Sequence, residues 1–217
     1  MTEERAPDGL VDLLAGRTGH FCTESGYHSE RWFDLDRVLA QRERLQPFVS
    51  ALARRLAPHR IDAVCGPMTG GAELADRVAA AVGAAAFFTE RFAPPPTAAA
   101  GLFPVRYTLP AAQRARVGGL RIAIVDDAIS AGSAVRGTFA ELKAHGAQVV
   151  VLGALYVFGG NAARFATDHG LALEALATLA FGVWPPVACP LCQAGVPLEA
   201  VSDAPGTTRP PASPPPS

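Results

Sequence analysis

Lysine is almost absent from this sequence: of 19 basic side chains, only Lys143 is a lysine and the rest are arginines. Chemistry that needs a compact ammonium has one place to find it, whereas the planar guanidinium fork is available throughout. An excess of either charge is missing too. Nineteen basic residues against 20 acidic ones give a formal charge of −1, which excludes a global electrostatic footprint for nucleic acid or an anionic membrane. Long hydrophobic runs are lacking: the longest, Val149 to Gly160, is too short to span a bilayer. The stretch from Met1 to Gly9 holds Glu3, Glu4, Arg5 and Asp8 and no apolar segment of a secretory signal. Cysteine is scarce; four in 217 residues (Cys22, Cys65, Cys189, Cys192) make no disulfide scaffold. These absences leave the expectation of a soluble, cytoplasmic protein that binds neither membrane nor nucleic acid.

What is present suits a globular core, with 49% hydrophobic and 18% charged residues. Ten of the 19 prolines fall from Val183 onward. Residues 203–217 are almost wholly Pro, Ser, Thr, Ala and Gly and read as a disordered tail, leaving one domain over residues 1–202. Pro94-Pro95-Pro96 marks a long internal loop of the kind that covers a site. Elsewhere strand-like and helical patterns alternate. A helical pattern over 36–57, with a restart at Pro47, precedes an apolar run over 61–65. A helix over 72–82, a strand over 84–88, a strand over 121–125, a helix over 133–145 and a buried strand over 149–156 follow. This alternation predicts an α/β fold with a central parallel sheet flanked by helices, whose ligands bind at the C-terminal strand ends.

The most informative segment is Ile122-Ala123-Ile124-Val125-Asp126-Asp127-Ala128-Ile129-Ser130-Ala131-Gly132-Ser133-Ala134. A buried strand delivers two carboxylates to its end, and a small-residue turn then opens a helix. Amides of such a turn, with the Ser130 and Ser133 hydroxyls, suit a phosphate group, and adjacent acids suit sugar hydroxyls. The pair alone is equally an ordinary strand end with a helix cap; the thirteen-residue context points to a sugar phosphate.

This segment resembles the signature of type I phosphoribosyltransferases for 5-phosphoribosyl diphosphate (PRPP). The resemblance implies that Asp126 and Asp127 bind ribose and that Ser130, Ala131, Gly132, Ser133 and Ala134 hold the 5′-phosphate. Three further segments resemble the orotate phosphoribosyltransferase branch. Ser25-Gly26-Tyr27-His28-Ser29 with Trp32-Phe33 looks like its N-terminal hood, expected over about residues 10–35 and 160–200, where Ser25, Gly26, Trp32, Phe33 and Ser130 frame the base. Gly66-Pro67-Met68-Thr69-Gly70-Gly71 resembles the diphosphate loop. Arg91 matches an arginine that binds diphosphate, often in a neighbouring subunit's site.

Cys189-Pro190-Leu191-Cys192 with Gly195-Val196-Pro197-Leu198 matches a C-terminal signature of one branch. The cysteine pair supplies two of the four ligands tetrahedral zinc needs, so it reads as structural and no metal site is assigned.

The resemblance implies PRPP, a pyrimidine base (orotate), Mg²⁺ and a homodimer with shared active sites. It also implies lysines around the leaving diphosphate and an arginine for the base near Val157. Here Glu24 precedes the Ser-Gly turn, the segment 92–112 holds one cation, Arg106, and residues 156–160 hold none. Arg31, Arg106 and Arg114 are the substitutes at hand. Two other readings therefore stand beside orotate transfer: a PRPP- or nucleotide-binding regulator with little turnover, and a phosphoribosyltransferase for another base.

Overall fold

Strand β3, Ala63–Pro67, is buried along its whole length, as expected for a strand covered on both faces. It is the pivot of the fold. The computed structural model describes residues 9–23, 25–68, 70–92 and 105–200. Glu24, Thr69, the Pro94–Pro96 segment and the expected tail lie outside the described residues.

From the N-terminus, a hairpin of β1 (Gly16–Cys22) and β2 (His28–Phe33) leads into α1 (Leu35–Leu39), α2 (Arg42–Leu56) and β3. Next come α3 (Gly70–Val82), β4 (Ala85–Phe92), β5 (Arg106–Thr108), α4 (Ala111–Arg114), β6 (Arg121–Ile129) and α5 (Ser133–Ala144). The chain continues through β7 (Gln148–Phe158), α6 (Asn161–Asp168), β8 (Ala172–Leu179), β9 (Val183–Trp184), α7 (Pro190–Gln193) and β10 (Glu199–Ala200).

Six strands form the main sheet in the order β5-β4-β3-β6-β7-β8, parallel except for β5. From β3 the chain builds outward to one side through β4 and to the other through β6. The reversal leaves a crevice at the C-terminal ends of β3 and β6, where open α/β sheets take their ligands.

Alternation along these strands feeds two apolar layers. Val64, Ala123 and Val125 face Leu45, Val49, Leu52 and Leu56 of α2 and Leu74 and Val78 of α3. Cys65, Ile122 and Ile124 face Val135 and Leu142 of α5 and Phe165 of α6. Leu45, Val49, Leu52 and Leu56 recur at helical spacing and are fully buried, each contributing about 2 kcal/mol. The helical pattern expected over 36–57 divides at Ala40–Gln41, before Pro47, which lies inside α2. The strand expected to end at Val125 runs on to Ile129 because Ala128 and Ile129 keep pairing with Tyr156 and Val157 of β7.

A second sheet, ordered β10-β1-β2-β9, contains the β1–β2 hairpin, in the segment where the N-terminal part of the hood is expected. The hood's C-terminal part begins later than expected. Residues 161–179 belong to the main sheet layer as α6 and β8, since Phe165, Ala166, Leu176 and Ala177 are buried in its two cores. The Tyr156 hydroxyl donates to the Leu10 carbonyl at 2.8 Å, joining the N-terminal segment to β7. Among the described residues, no helix is long and apolar enough to cross a membrane.

Candidate functional site

At the end of β6 the main-chain geometry holds both acids of the signature in place. Asp126 Oδ1 accepts the Asp127 N–H at 3.1 Å, and Asp127 Oδ1 accepts the Ala128 N–H at 2.8 Å. Asp126 is only 6% exposed. Burial, and then the neighbouring Asp127 charge, push the Asp126 carboxyl well above the usual carboxylate range. Burial raises Asp127 as well, with a smaller contribution from Asp36. Two carboxylates side by side, one buried and the other half-buried, are a costly arrangement that a polar or cationic ligand would relieve.

The segment Gly66–Gly71 is built around these acids. A β-carbon on Gly71 would lie 2.7 Å from Asp126 Oδ1, and one on Gly70 would collide with the Asp127 carboxylate. At Gly66 a β-carbon would overlap the Gly71 carbonyl. Only glycine permits this approach of loop, helix start and strand end. The Met68 N–H donates to the Thr89 carbonyl at 2.8 Å, anchoring the loop to β4.

Beyond the acids, Gly132 takes φ +83°, a conformation that favours glycine, and its carbonyl accepts the Arg136 N–H at 2.9 Å as α5 begins. The Ser130–Ser133 turn thereby faces the same space as the acids. That space is one cavity of about 850 Å³. Its wall includes Asp126 and Asp127, Ser130 through Ala134, and Pro67, Met68 and Gly70.

The hood closes the other side. Thr23 Oγ1 donates to the Tyr27 carbonyl at 2.9 Å and lies 2.9 Å from Ser25 Oγ, and Gly26 turns the chain at φ +79°. Ser25, Trp32 and Phe33 reach the cavity, whereas Gly26 shapes the turn from outside it. Phe33 stacks on Phe158 at 5.0 Å and meets Phe181 at 5.7 Å, forming an aromatic wall. The Arg17 guanidinium lies 5.6 Å from the Trp32 ring.

Several expected residues stand elsewhere. Gly66 and Gly71 support the cavity without lining it, and Arg91, exposed on β4 opposite Tyr107, does not line it either. Arg114 Nε donates to the Leu109 carbonyl at 2.9 Å and Arg106 lies on the edge strand β5, so neither replaces the missing cations at this wall. Lys143 is exposed in the last turn of α5, at the opposite end of that helix from the Ser130–Ser133 turn. Arg31 and Arg37 are the arginines on the wall among the described residues. Tyr107, Phe158 and Phe181 also line the cavity and were missed. Phe158 occupies the region where an arginine was expected, and its place at the end of a buried strand was the available signal.

No protein-family model matches the chain. Relatives do. An orotate phosphoribosyltransferase of Desulforamulus reducens is 29% identical over 197 residues, covering 91% of this chain and 95% of the relative. That of Thermotoga maritima is 31% identical over 184 residues, covering 83% and 88%. Among solved structures, orotate phosphoribosyltransferase from Aeropyrum pernix aligns with TM-score 0.55 at 22% identity, over 77% of this chain and 89% of that one. Adenine phosphoribosyltransferase from Thermoanaerobacter pseudethanolicus aligns with TM-score 0.59 at 16% identity, over 78% and 98%. The structural likeness identifies the type I phosphoribosyltransferase fold. With a sequence relative above 30% identity matched over most of both chains, this chain belongs to the orotate phosphoribosyltransferase family.

Proposed function

We propose that the chain transfers the 5-phosphoribosyl group of PRPP to a pyrimidine base, orotate, releasing diphosphate. The observation that carries this reading is the convergence of buried Asp126, half-buried Asp127, the Gly70 approach and the Ser130–Ser133 turn on one cavity roofed by Phe33 and Trp32. In that cavity the acids accept hydrogen bonds from the ribose hydroxyls, the turn amides and hydroxyls hold the 5′-phosphate, and the aromatic wall packs the base. The bond from ribose C1 to diphosphate breaks with its electron pair going to diphosphate. A bond from C1 to the base nitrogen forms, and that nitrogen's proton is lost.

Negative charge grows on the leaving group as this happens, and each well-placed cation in a closed site lowers the barrier by about 2–4 kcal/mol. The carboxylate oxygens of Asp126 and Asp127 on the cavity wall are hard donors of the kind Mg²⁺ takes, and the ion, when bound, would neutralise leaving-group charge. Arg91 lies outside its own chain's cavity wall, so in this reading it serves the site of a second copy in a homodimer.

Phe158 favours a second reading. An aromatic ring at the end of β7 offers no partner for a carboxylate, which suits a base lacking one. A panel of bases incubated with PRPP and Mg²⁺ separates the two: diphosphate release with orotate supports the first, and release only with carboxylate-free bases supports the second. Calorimetric binding of PRPP with no release for any base would instead indicate a regulator.

A further inference from the structure

The cysteine pair near the C-terminus does not stand alone. His20 of β1 and His28 of β2 lie against it, and the four donor atoms fall within 4.8 Å of one another. Hairpin register, Phe21 opposite Ser29 and Cys22 opposite His28, brings the two imidazoles together with His20 Nε2 3.1 Å from His28 Nδ1. A tight turn brings the sulfurs. Gln193 N–H donates to the Cys189 carbonyl and Gly195 N–H to the Cys192 carbonyl, with Gly195 at φ +69°. Cys189 Sγ is then 3.4 Å from His20 Nε2, and Cys192 Sγ is 3.7 Å from His20 Nε2 and 3.2 Å from His28 Nδ1.

From Zn–N bonds of about 2.05 Å and Zn–S bonds of about 2.3 Å, a tetrahedral Cys₂His₂ site has edges of about 3.3 Å between nitrogens and about 3.6 Å between nitrogen and sulfur. The distances above scatter around those edges. Hydrogen bonding accounts for the cluster poorly. The Val196 carbonyl can only accept, so His20 Nδ1, 2.8 Å away, carries the ring proton and leaves Nε2 as a single lone pair. Three neighbours crowd that one lone pair, while a cation at their centre engages all four groups at once. The same Val196 contact is the outer hydrogen bond that orients a metal-binding imidazole. Two thiolates balance a divalent charge, so the filled site is neutral where His20, His28 and Cys189 are buried.

We propose that His20, His28, Cys189 and Cys192 form a structural Zn²⁺ site that fastens the C-terminal segment to the β1–β2 hairpin. Four protein ligands close the coordination sphere, so the metal takes no part in turnover. Its consequence is positional. The Thr23–Tyr27 turn that presents Ser25 to the cavity lies between the two histidines, and β10 is laid beside β1 a few residues after Cys192. The site does not depend on the reaction assigned to the cavity.

The test measures metal content of the full chain purified under reducing conditions, stripped with chelator and reloaded with Zn²⁺ alone or Co²⁺ alone. The expected result is ~1 zinc per chain, and for cobalt the intense visible bands of tetrahedral coordination with sulfur-to-metal charge transfer. Cys189→Ser with Cys192→Ser abolishes both, and Cys65→Ala, in the core away from the cluster, retains both. Should the double variant fail to fold, a mercurial titration of the wild-type thiols replaces it, with zinc release tracking thiol modification. Absence of stoichiometric zinc after reloading, an octahedral cobalt spectrum without sulfur bands, or zinc that stays bound when the thiols are blocked would each overturn the proposal.

Discussion

Asp126 Oδ1 sits so near the backbone of Gly71 that a β-carbon there would approach it to 2.7 Å. The contact joins the two segments assigned to adjacent parts of one substrate, the acids for its ribose and the loop for its diphosphate. Gly71→Ala must push either the carboxylate or the start of α3 out of place, and neither has slack in a buried setting. Turnover is expected to fall by about a hundredfold or more, since small misplacements of binding groups cost that much. Steady-state kinetics on folded variant protein check this.

Asp126 also separates stability from function. Its carboxyl is raised by burial and by Asp127, so the ionised form strains the ligand-free fold. An acid raised in this way favours folding fully below its unfolded value of about 4, and that contribution is lost as pH rises through the higher folded value. Melting temperature of the ligand-free protein should therefore fall with rising pH across that window. Asp126→Asn should flatten this slope, stabilise the ligand-free chain by about 1–2 kcal/mol and abolish PRPP binding. Melting curves at several pH values, with calorimetry of PRPP, test both halves.

Phe33 is held by Phe158 and Phe181 and faces the cavity. Phe33→Ala removes the stacking surface without touching the acids or the phosphate turn. The expected outcome is a KM for the base raised about tenfold, as loss of about 1.4 kcal/mol implies, with the KM for PRPP little changed. Equal rises in both constants would instead mean that the hood has collapsed.

Arg31 is the cation of the hood wall, and Ser29 Oγ fixes its backbone by donating to its carbonyl at 2.8 Å. If orotate is the base, Arg31→Ala should weaken orotate more than a carboxylate-free pyrimidine, by about tenfold or more. Paired kinetics on the two bases give the answer.

Much of this was legible in the sequence because it is local. The run from Ile122 to Ala134 encodes a strand, two acids and a turn by neighbours alone, and the structure keeps them together. Features that depend on distant pairing were not legible. Residues 172–179 fall in the stretch expected to belong to the hood, yet they form β8 of the main sheet, because β7 offers them a buried parallel edge. Phe181 reaches Phe33 at the cavity, and His20 meets Cys189 169 positions away, only through tertiary assembly. The scarcity of lysine, visible at once, acquires its meaning from geometry: Lys143 is at the far end of α5, and the cavity wall carries arginine instead.

The most direct test of the central claim is diphosphate release from PRPP and Mg²⁺ in the presence of orotate, compared between the wild-type chain and Asp127→Asn. The account predicts release by the wild type that requires orotate and is lost in the variant. Absence of both PRPP binding and release for every base, or unchanged kinetics in Asp127→Asn, would contradict it.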